Sequence, residues 1–256
     1  MSWGELLLIA LAGGAAGLIN TVVGTGTLIT FPTLLALGVP PLLANVSNSI
    51  GLAPGSISGA LASRQELVGQ RKRILRYGVA SLIGAIGGAL LLLRLPSEAF
   101  DAIVPVLIGL GCLLVIIGPW LSRRVAARRE RLGTGAGPVD GPLWLFPVIV
   151  LTGAYGGYFG AAQGVLVIAV MGVALSAESL PRINGLKNVL TGIANAVAGV
   201  VFIVISHVSW PIVAALAVGS VIGAQVGARV GRKIPPTVYR VVIVGVGLAA
   251  IINLLR

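Results

Sequence analysis

Acidic residues are scarce in this chain. Its 256 residues hold seven Asp and Glu against 18 Lys and Arg. All seven (Glu5, Glu66, Glu98, Asp101, Glu130, Asp140 and Glu178) lie in or beside predicted loops. No carboxylate is therefore expected within the bilayer to hold Na⁺ or a divalent metal, or to run an acid-based proton relay. The single cysteine, Cys112, excludes an internal disulfide and is expected to pack in an apolar helix. The single histidine, His207, falls in a predicted loop, where a solvated side chain is expected rather than a proton relay. No nucleophile–base pair, metal-ligand cluster or Walker-type loop is present. An intramembrane enzyme or an ATP-driven pump has no residues to stand on, and no cofactor or metal is expected. Charged residues make up 10% of the chain.

What fills the chain instead is apolar. Hydrophobic residues reach 57% and the mean hydropathy is +1.04, which excludes a soluble globule. Several charge-poor windows exceed the length of a membrane span, so an all-α polytopic membrane protein is expected, with the lipid bilayer as its surroundings. The net charge of +11 collects in short loops, as on the cytoplasmic faces of membrane proteins, and is not a nucleic-acid footprint. Met1–Glu5 lacks the basic start of a signal peptide, so the first segment is expected to stay in the mature protein.

Two runs organise the rest: Glu5–Leu37, around GLINTVVGTGTLITFPTLLALGV, and Pro142–Leu175, around GAYGGYFGAAQGVLVIAVMGVAL. An offset of 136 positions matches Gly17 to Gly153 and Gly24 to Gly160. A straight helix over either run would reach about 50 Å, well beyond a hydrocarbon core of about 30 Å. Both are interrupted near the middle, at Gly24-Thr25-Gly26-Thr27 and at Gly160–Gly164. Helix breaks deep in a bilayer are tolerated where they are buried in protein or line a cavity, and paired breaks point to a transporter binding site. Each run is expected to enter and return, as a re-entrant hairpin or as two short crossings.

The halves then repeat. Residues 1–121 form repeat 1: the broken segment 5–37 and spans at about 43–62, 77–95 and 102–121. Residues 122–141 form a basic linker, with Arg123, Arg124, Arg128, Arg129 and Arg131. Residues 142–256 form repeat 2: the broken segment 142–175 and spans at about 183–205, 210–230 and 237–255. Beyond the first turn an offset of 139 aligns Asn45 with Asn184, Gly84 with Gly223, Gly88 with Gly227 and Pro96 with Pro235.

Charge sets the two halves on opposite sides. The basic loop Ser63–Arg76 corresponds to Ser206–Ser209, which has no Lys or Arg. The turn at Pro96 carries only Arg94, and its counterpart carries Arg229, Arg232, Lys233 and Arg240. Equivalent loops with opposite bias belong on opposite faces, so inverted-topology repeats with both termini external are expected.

A half-helix starting at Gly24–Thr27 offers unpaired N–H groups and the positive end of its dipole, with Thr25 or Thr27 able to cap it. Gly160, Gln163 and Gly164 offer the same from the second break. Two such ends converging make a desolvated anion site; the alternative is that the glycines only let helices pack closely. Asn45, Ser47 and Asn48, and symmetrically Asn184, Lys187 and Asn188, open the helices that follow. They either cap and snorkel or orient the anion, with Lys187 offsetting its charge. Lys187→Met is then expected to weaken binding and spare folding. Asn20, Thr21, Tyr155, Tyr158 and Asn195 are second-rank cavity candidates, because tyrosine also serves as an interfacial anchor. The rows Gly84–Gly88 and Gly223–Gly227–Gly231 read as packing faces.

The segments Leu18–Ser49 (LINTVVGTGTLITFPTLLALGVPPLLANVSNS), Leu180–Phe202 (LPRINGLKNVLTGIANAVAGVVF) and Ser209–Pro235 (SWPIVAALAVGSVIGAQVGARVGRKIP) together resemble the TauE/SafE, or sulfite-exporter-like, family of membrane permeases. The resemblance covers nearly the whole chain. It implies export of sulfite or a small organosulfonate such as sulfoacetate across the bacterial inner membrane, without ATP. The family's first break is usually a run of glycines; here Thr25 and Thr27 stand among them and add two hydroxyls. Many members carry a lysine after the first asparagine, where this chain has Asn48-Ser49. The expectation is an alternating-access transporter of a small anion. An anion channel and a non-transporting scaffold are the alternatives, and a homodimer is left open.

Overall fold

The first helix opens on a reciprocal cap: Glu5 N–H donates to Ser2 Oγ and Ser2 N–H to Glu5 Oε2. Ten helices follow the apolar periodicity in the computed structural model, which describes residues 1–132, 140–175, 178–230 and 235–254. They are α1 (Trp3–Val22), α2 (Thr27–Ala36), α3 (Pro41–Ala62), α4 (Arg71–Arg94), α5 (Ser97–Leu132), α6 (Leu145–Tyr158), α7 (Gln163–Ala174), α8 (Leu180–Ile205), α9 (Trp210–Val230) and α10 (Pro236–Leu254). A 3₁₀ turn at Arg64–Leu67 precedes α4. Among the described residues there is no strand. The protein is an all-α, polytopic membrane protein.

Among the described residues five helical stretches are long and apolar enough to cross a bilayer: Trp3–Val22, Arg71–Arg94, Ser97–Trp120, Leu180–Ile205 and Trp210–Val230. The two broken runs differ. With 20 residues α1 reaches about 30 Å, a full crossing, and its return helix α2 has 10. In the second run both pieces are short, 14 residues in α6 and 12 in α7.

Helix ends depart from the sequence reading in two places. Arg71, Lys72, Arg73 and Arg76, expected in a loop, occupy the first turns of α4. Helix α5 continues through Leu132, so Ser122–Leu132, expected as linker, are helical. Nothing in that stretch breaks a helix, since Arg, Ala, Glu and Leu are all good formers. Residues 133–139 of the expected linker lie outside the described residues, as do 231–234 with Gly231, Arg232 and Lys233.

Small residues decide which helices touch. Along α1 and α9 the chains run parallel, with Gly13 on Leu216, Gly17 on Ser220, Gly223 on Gly14 and Gly227 on Leu18. A methyl group at Gly223 would stand 1.9 Å from the Gly14 carbonyl oxygen, so only glycine admits this approach. Along α4 and α6 the arrangement recurs, with Gly84 on Val150, Gly88 on Ala154 and Gly157 on Ala85. Further contacts cross between the halves in the same way: α3 with α9 and α8 with α4, α2 with α10 and α7 with α5, α3 with α8 and α5 with α10. The first helix of each half is therefore seated on the other half.

Bulky apolar side chains lie on the outside, where a bilayer would take them, among them Leu7, Leu11, Val106, Val204 and Val241. Inside, Phe31 of α2 meets Phe159 edge to face at 5.0 Å between ring centroids, and Phe100 of α5 joins from the side.

Candidate substrate site

The two breaks meet. Between α1 and α2 the chain turns at Gly24 (φ +87°), and between α6 and α7 at Gly160 (φ +74°), followed by Ala162 in the left-handed region (φ +60°). Gly164 N–H, in the first turn of α7, donates to the Gly24 carbonyl at 3.1 Å. A side-chain carbon on either glycine would come within 2.4 Å of the other's Cα. The helix N-termini of the two runs are thus joined through bare backbone.

Around that joint lie buried polar atoms without partners. Thr25, next to Gly24, is wholly buried and its Oγ1 makes no hydrogen bond among the described residues; on α3 the buried Ser47 Oγ is likewise without one. Gly26, not a threonine, stands at the N-cap of α2 with no side-chain cap, which corrects the expectation that Thr25 or Thr27 caps it. Thr27 Oγ1 instead accepts from Asn48 Nδ2 at 3.3 Å, and the Thr30 hydroxyl donates to Asn48 Oδ1. Gln163 turns back on its own hairpin, where Nε2 donates to the Thr152 carbonyl at 3.1 Å.

The asparagines that open α3 and α8 spend their amides on helix ends from the opposite half. Asn45 Nδ2 donates to the Tyr158 carbonyl at the end of α6, 2.9 Å away. Asn184 Nδ2 donates to the Thr21 carbonyl at the end of α1, 3.2 Å away. In both, Oδ1 is left buried and unpartnered. A carbonyl acceptor fixes the amide's orientation, because the flipped amide would set two oxygens face to face. The free groups here are thus acceptors.

Lys187 is fully buried. Its Nζ donates to the carbonyls of Asn20 (2.8 Å) and Thr21 (3.3 Å), the last turn of α1, where a cation also meets the negative end of the helix dipole. Asn188 Nδ2 donates to Ser63 Oγ. Asn20 and Asn195 share one acceptor, Ser56 Oγ, at 3.1 and 3.2 Å. The Thr21 hydroxyl donates within α1 to Gly17. The Tyr155 hydroxyl donates to the Ala161 carbonyl and pins the second break. Tyr158 stacks edge-on against Phe100 and is only partly buried. His207 is exposed between α8 and α9.

A cavity of about 670 Å³ reaches this cluster from the end of the bundle where α5 leaves it and α8 and α10 begin. Thr21 and Asn184 line it, Val22, Val115, Val165 and Ile168 give apolar walls, and Arg123 and Arg240 are its charged residues.

Several contributors lay outside the sequence reading. Ser56 was not among the candidates; it stands 139 positions before the candidate Asn195, and the repeat offset itself was the signal that could have paired them. Glu178 binds Arg73 of α4 and Arg182 of α8, each at 2.6 Å, while Gln70 donates to the Arg182 carbonyl. Burial alone would raise the Glu178 carboxyl; the two guanidinium bonds and charges outweigh it and hold the carboxyl below its ordinary value. Only the folded chain reveals this cluster, because its members come from two stretches, 70–73 and 178–182, more than 100 residues apart.

Comparison with known proteins agrees with this architecture. The chain is 25% identical over 218 residues to a protein of Haemophilus influenzae named "Probable membrane transporter protein", covering 84% of this chain and 81% of that one. It is 26% identical over 221 residues to "Probable membrane transporter protein YfcA" of Escherichia coli K12, covering 84% and 76%. The model of the family described as "Sulfite exporter TauE/SafE" matches residues 9–254, and on that match the chain belongs to the TauE/SafE family of membrane transporters.

Proposed function

We propose that the protein is a secondary transporter that moves a small sulfur-containing oxyanion, sulfite or an organosulfonate such as sulfoacetate, by alternating access around the paired breaks. The hydrogen bond from Gly164 to Gly24 carries this reading. It joins the turn that precedes α2 to the first turn of α7, which supports a reading in which the helix N-termini of the two halves converge on the anion. Thr25 supplies a hydroxyl there, and Ser47 one on α3, that have no protein partner among the described residues and so are free to meet a ligand. Asn45 and Asn184 present acceptors, which suit an anion that still carries a proton, hydrogensulfite rather than sulfite. Lys187 caps α1 in this conformation and turns to the anion when α1 shifts. Gly26, Gly160, Asn48, Gln163 and Asn188 frame the site.

The exchange of contacts between halves supports inverted repeats. In this reading the chain lies in the bacterial inner membrane with both termini outside and the cavity open to the cytoplasm. Uptake and efflux by the purified protein in proteoliposomes test it, with sulfite, sulfoacetate, sulfate, thiosulfate and chloride, each with and without a pH gradient. Saturable flux of one sulfur oxyanion is the expected result. Currents too large for alternating access would make it a channel, and no flux from folded protein would overturn transport of these anions.

A further inference from the structure

The cavity that leads to the breaks carries charge of one sign. Among its described lining residues Arg123 and Arg240 are the charged ones, and none of those residues is a carboxylate. They come from counterpart helices, α5 and α10, and meet at the same end of the bundle. Nearby Arg73 and Arg182 are tied to Glu178, whereas Arg123 and Arg240 make no ion pair among the described residues. Arg123 is exposed and Arg240 half-buried, so both guanidinium groups remain within reach of solvent. The walls behind them are apolar, and low-dielectric walls focus the field of like charges into a cleft.

We infer that Arg123 and Arg240 form a capture site for a small oxyanion at the open end of the cavity, separate from the paired breaks further in. This rests on the anion-transport reading above. A guanidinium offers a planar fork that matches two oxygens of a sulfonate or sulfite group, which a lysine in the same place would not. From there the ion passes the valine walls to Thr21, whose carbonyl already receives Asn184 and Lys187. An anionic lipid headgroup presents the same chemistry, and the test separates the two sources.

The test compares wild type with the double variant Arg123→Gln/Arg240→Gln in phosphatidylcholine vesicles. Sulfite and sulfoacetate flux is started from the face that bears the arginines, with matched thermal melts as the folding control. The double variant should raise the half-saturation concentration roughly tenfold, with maximal rate retained, as two charge-assisted contacts would give. The difference should shrink at high salt and vanish for flux started from the opposite face. Equal half-saturation in the two proteins overturns the capture site and leaves transport standing. A difference that emerges only when phosphatidylglycerol is added assigns the pair to a lipid headgroup and overturns capture of a soluble ion. Equilibrium dialysis of sulfoacetate against the detergent-purified proteins reads the site without flux. Equal binding there overturns the capture site whether or not the protein transports.

Discussion

Lys187 Nζ lies 2.8 Å from the Asn20 carbonyl oxygen, and the charge of α8 thereby closes the end of α1. Lys187→Met keeps the stem and removes the side-chain donor to the buried Asn20 carbonyl, while the Thr21 carbonyl keeps Asn184 Nδ2. The cost should be about 1–3 kcal/mol, so the variant should melt earlier in detergent. That revises the expectation that this substitution spares folding. Exposed Lys72→Met is the control and should leave the midpoint unchanged. Equal midpoints for both would return the lysine to the anion alone.

Gly24 and Gly164 tolerate no side chain. Alanine at either would press a carbon to 2.4 Å of the opposite Cα, and at Gly24 it would also sit at φ +87°. Each substitution should cost several kcal/mol or prevent folding. Gly38→Ala has a similar φ (+76°) with nothing within 4 Å, so it should cost only about 1 kcal/mol and leave transport intact. Expression and size-exclusion profiles distinguish the cases.

Thr25→Val separates stability from function. The hydroxyl has no protein partner, so its removal by an isosteric group should be neutral or slightly stabilising. Transport should fall if that hydroxyl serves the anion. A variant that melts at or above the wild-type temperature and transports unchanged would remove Thr25 from the site.

Glu178 gives a pH signature. Its carboxyl is held below the ordinary value in the folded protein. The stability it contributes is therefore complete above the unfolded-chain value of about 4.3 and is lost as pH falls through the folded value. Glu178→Gln should melt several degrees lower at neutral pH, and the two curves should draw together as pH falls below the unfolded-chain value. Parallel curves across that range would show that the carboxylate contributes nothing.

Much of this was legible in the chain. The paired Gly-rich breaks, the helix boundaries at Ala62, Ile205, Trp210 and Val230, and the recurrence of glycines at 84, 88, 223 and 227 follow from periodicity and composition. The use of each polar side chain was not legible. Asn45, Asn184 and Lys187 read as ligands for an anion, yet the ends of α6 and α1 take their N–H groups first. Sequence shows the donor but not which carbonyl the fold will bring beside it.

The seating of α1 on α9 bears on how the chain is made. Its glycine face is matched by Leu216, Ser220, Gly223 and Gly227, close to the end of the sequence. During synthesis the first helix therefore waits in lipid, its notched side unfilled, until residues beyond 227 have left the ribosome and entered the bilayer. The half that begins the chain has no complete shape of its own. A nascent protein halted after α5 would hold the first five helices without the surface on which α1 comes to rest, and such a fragment is the form that membrane quality-control proteases would meet.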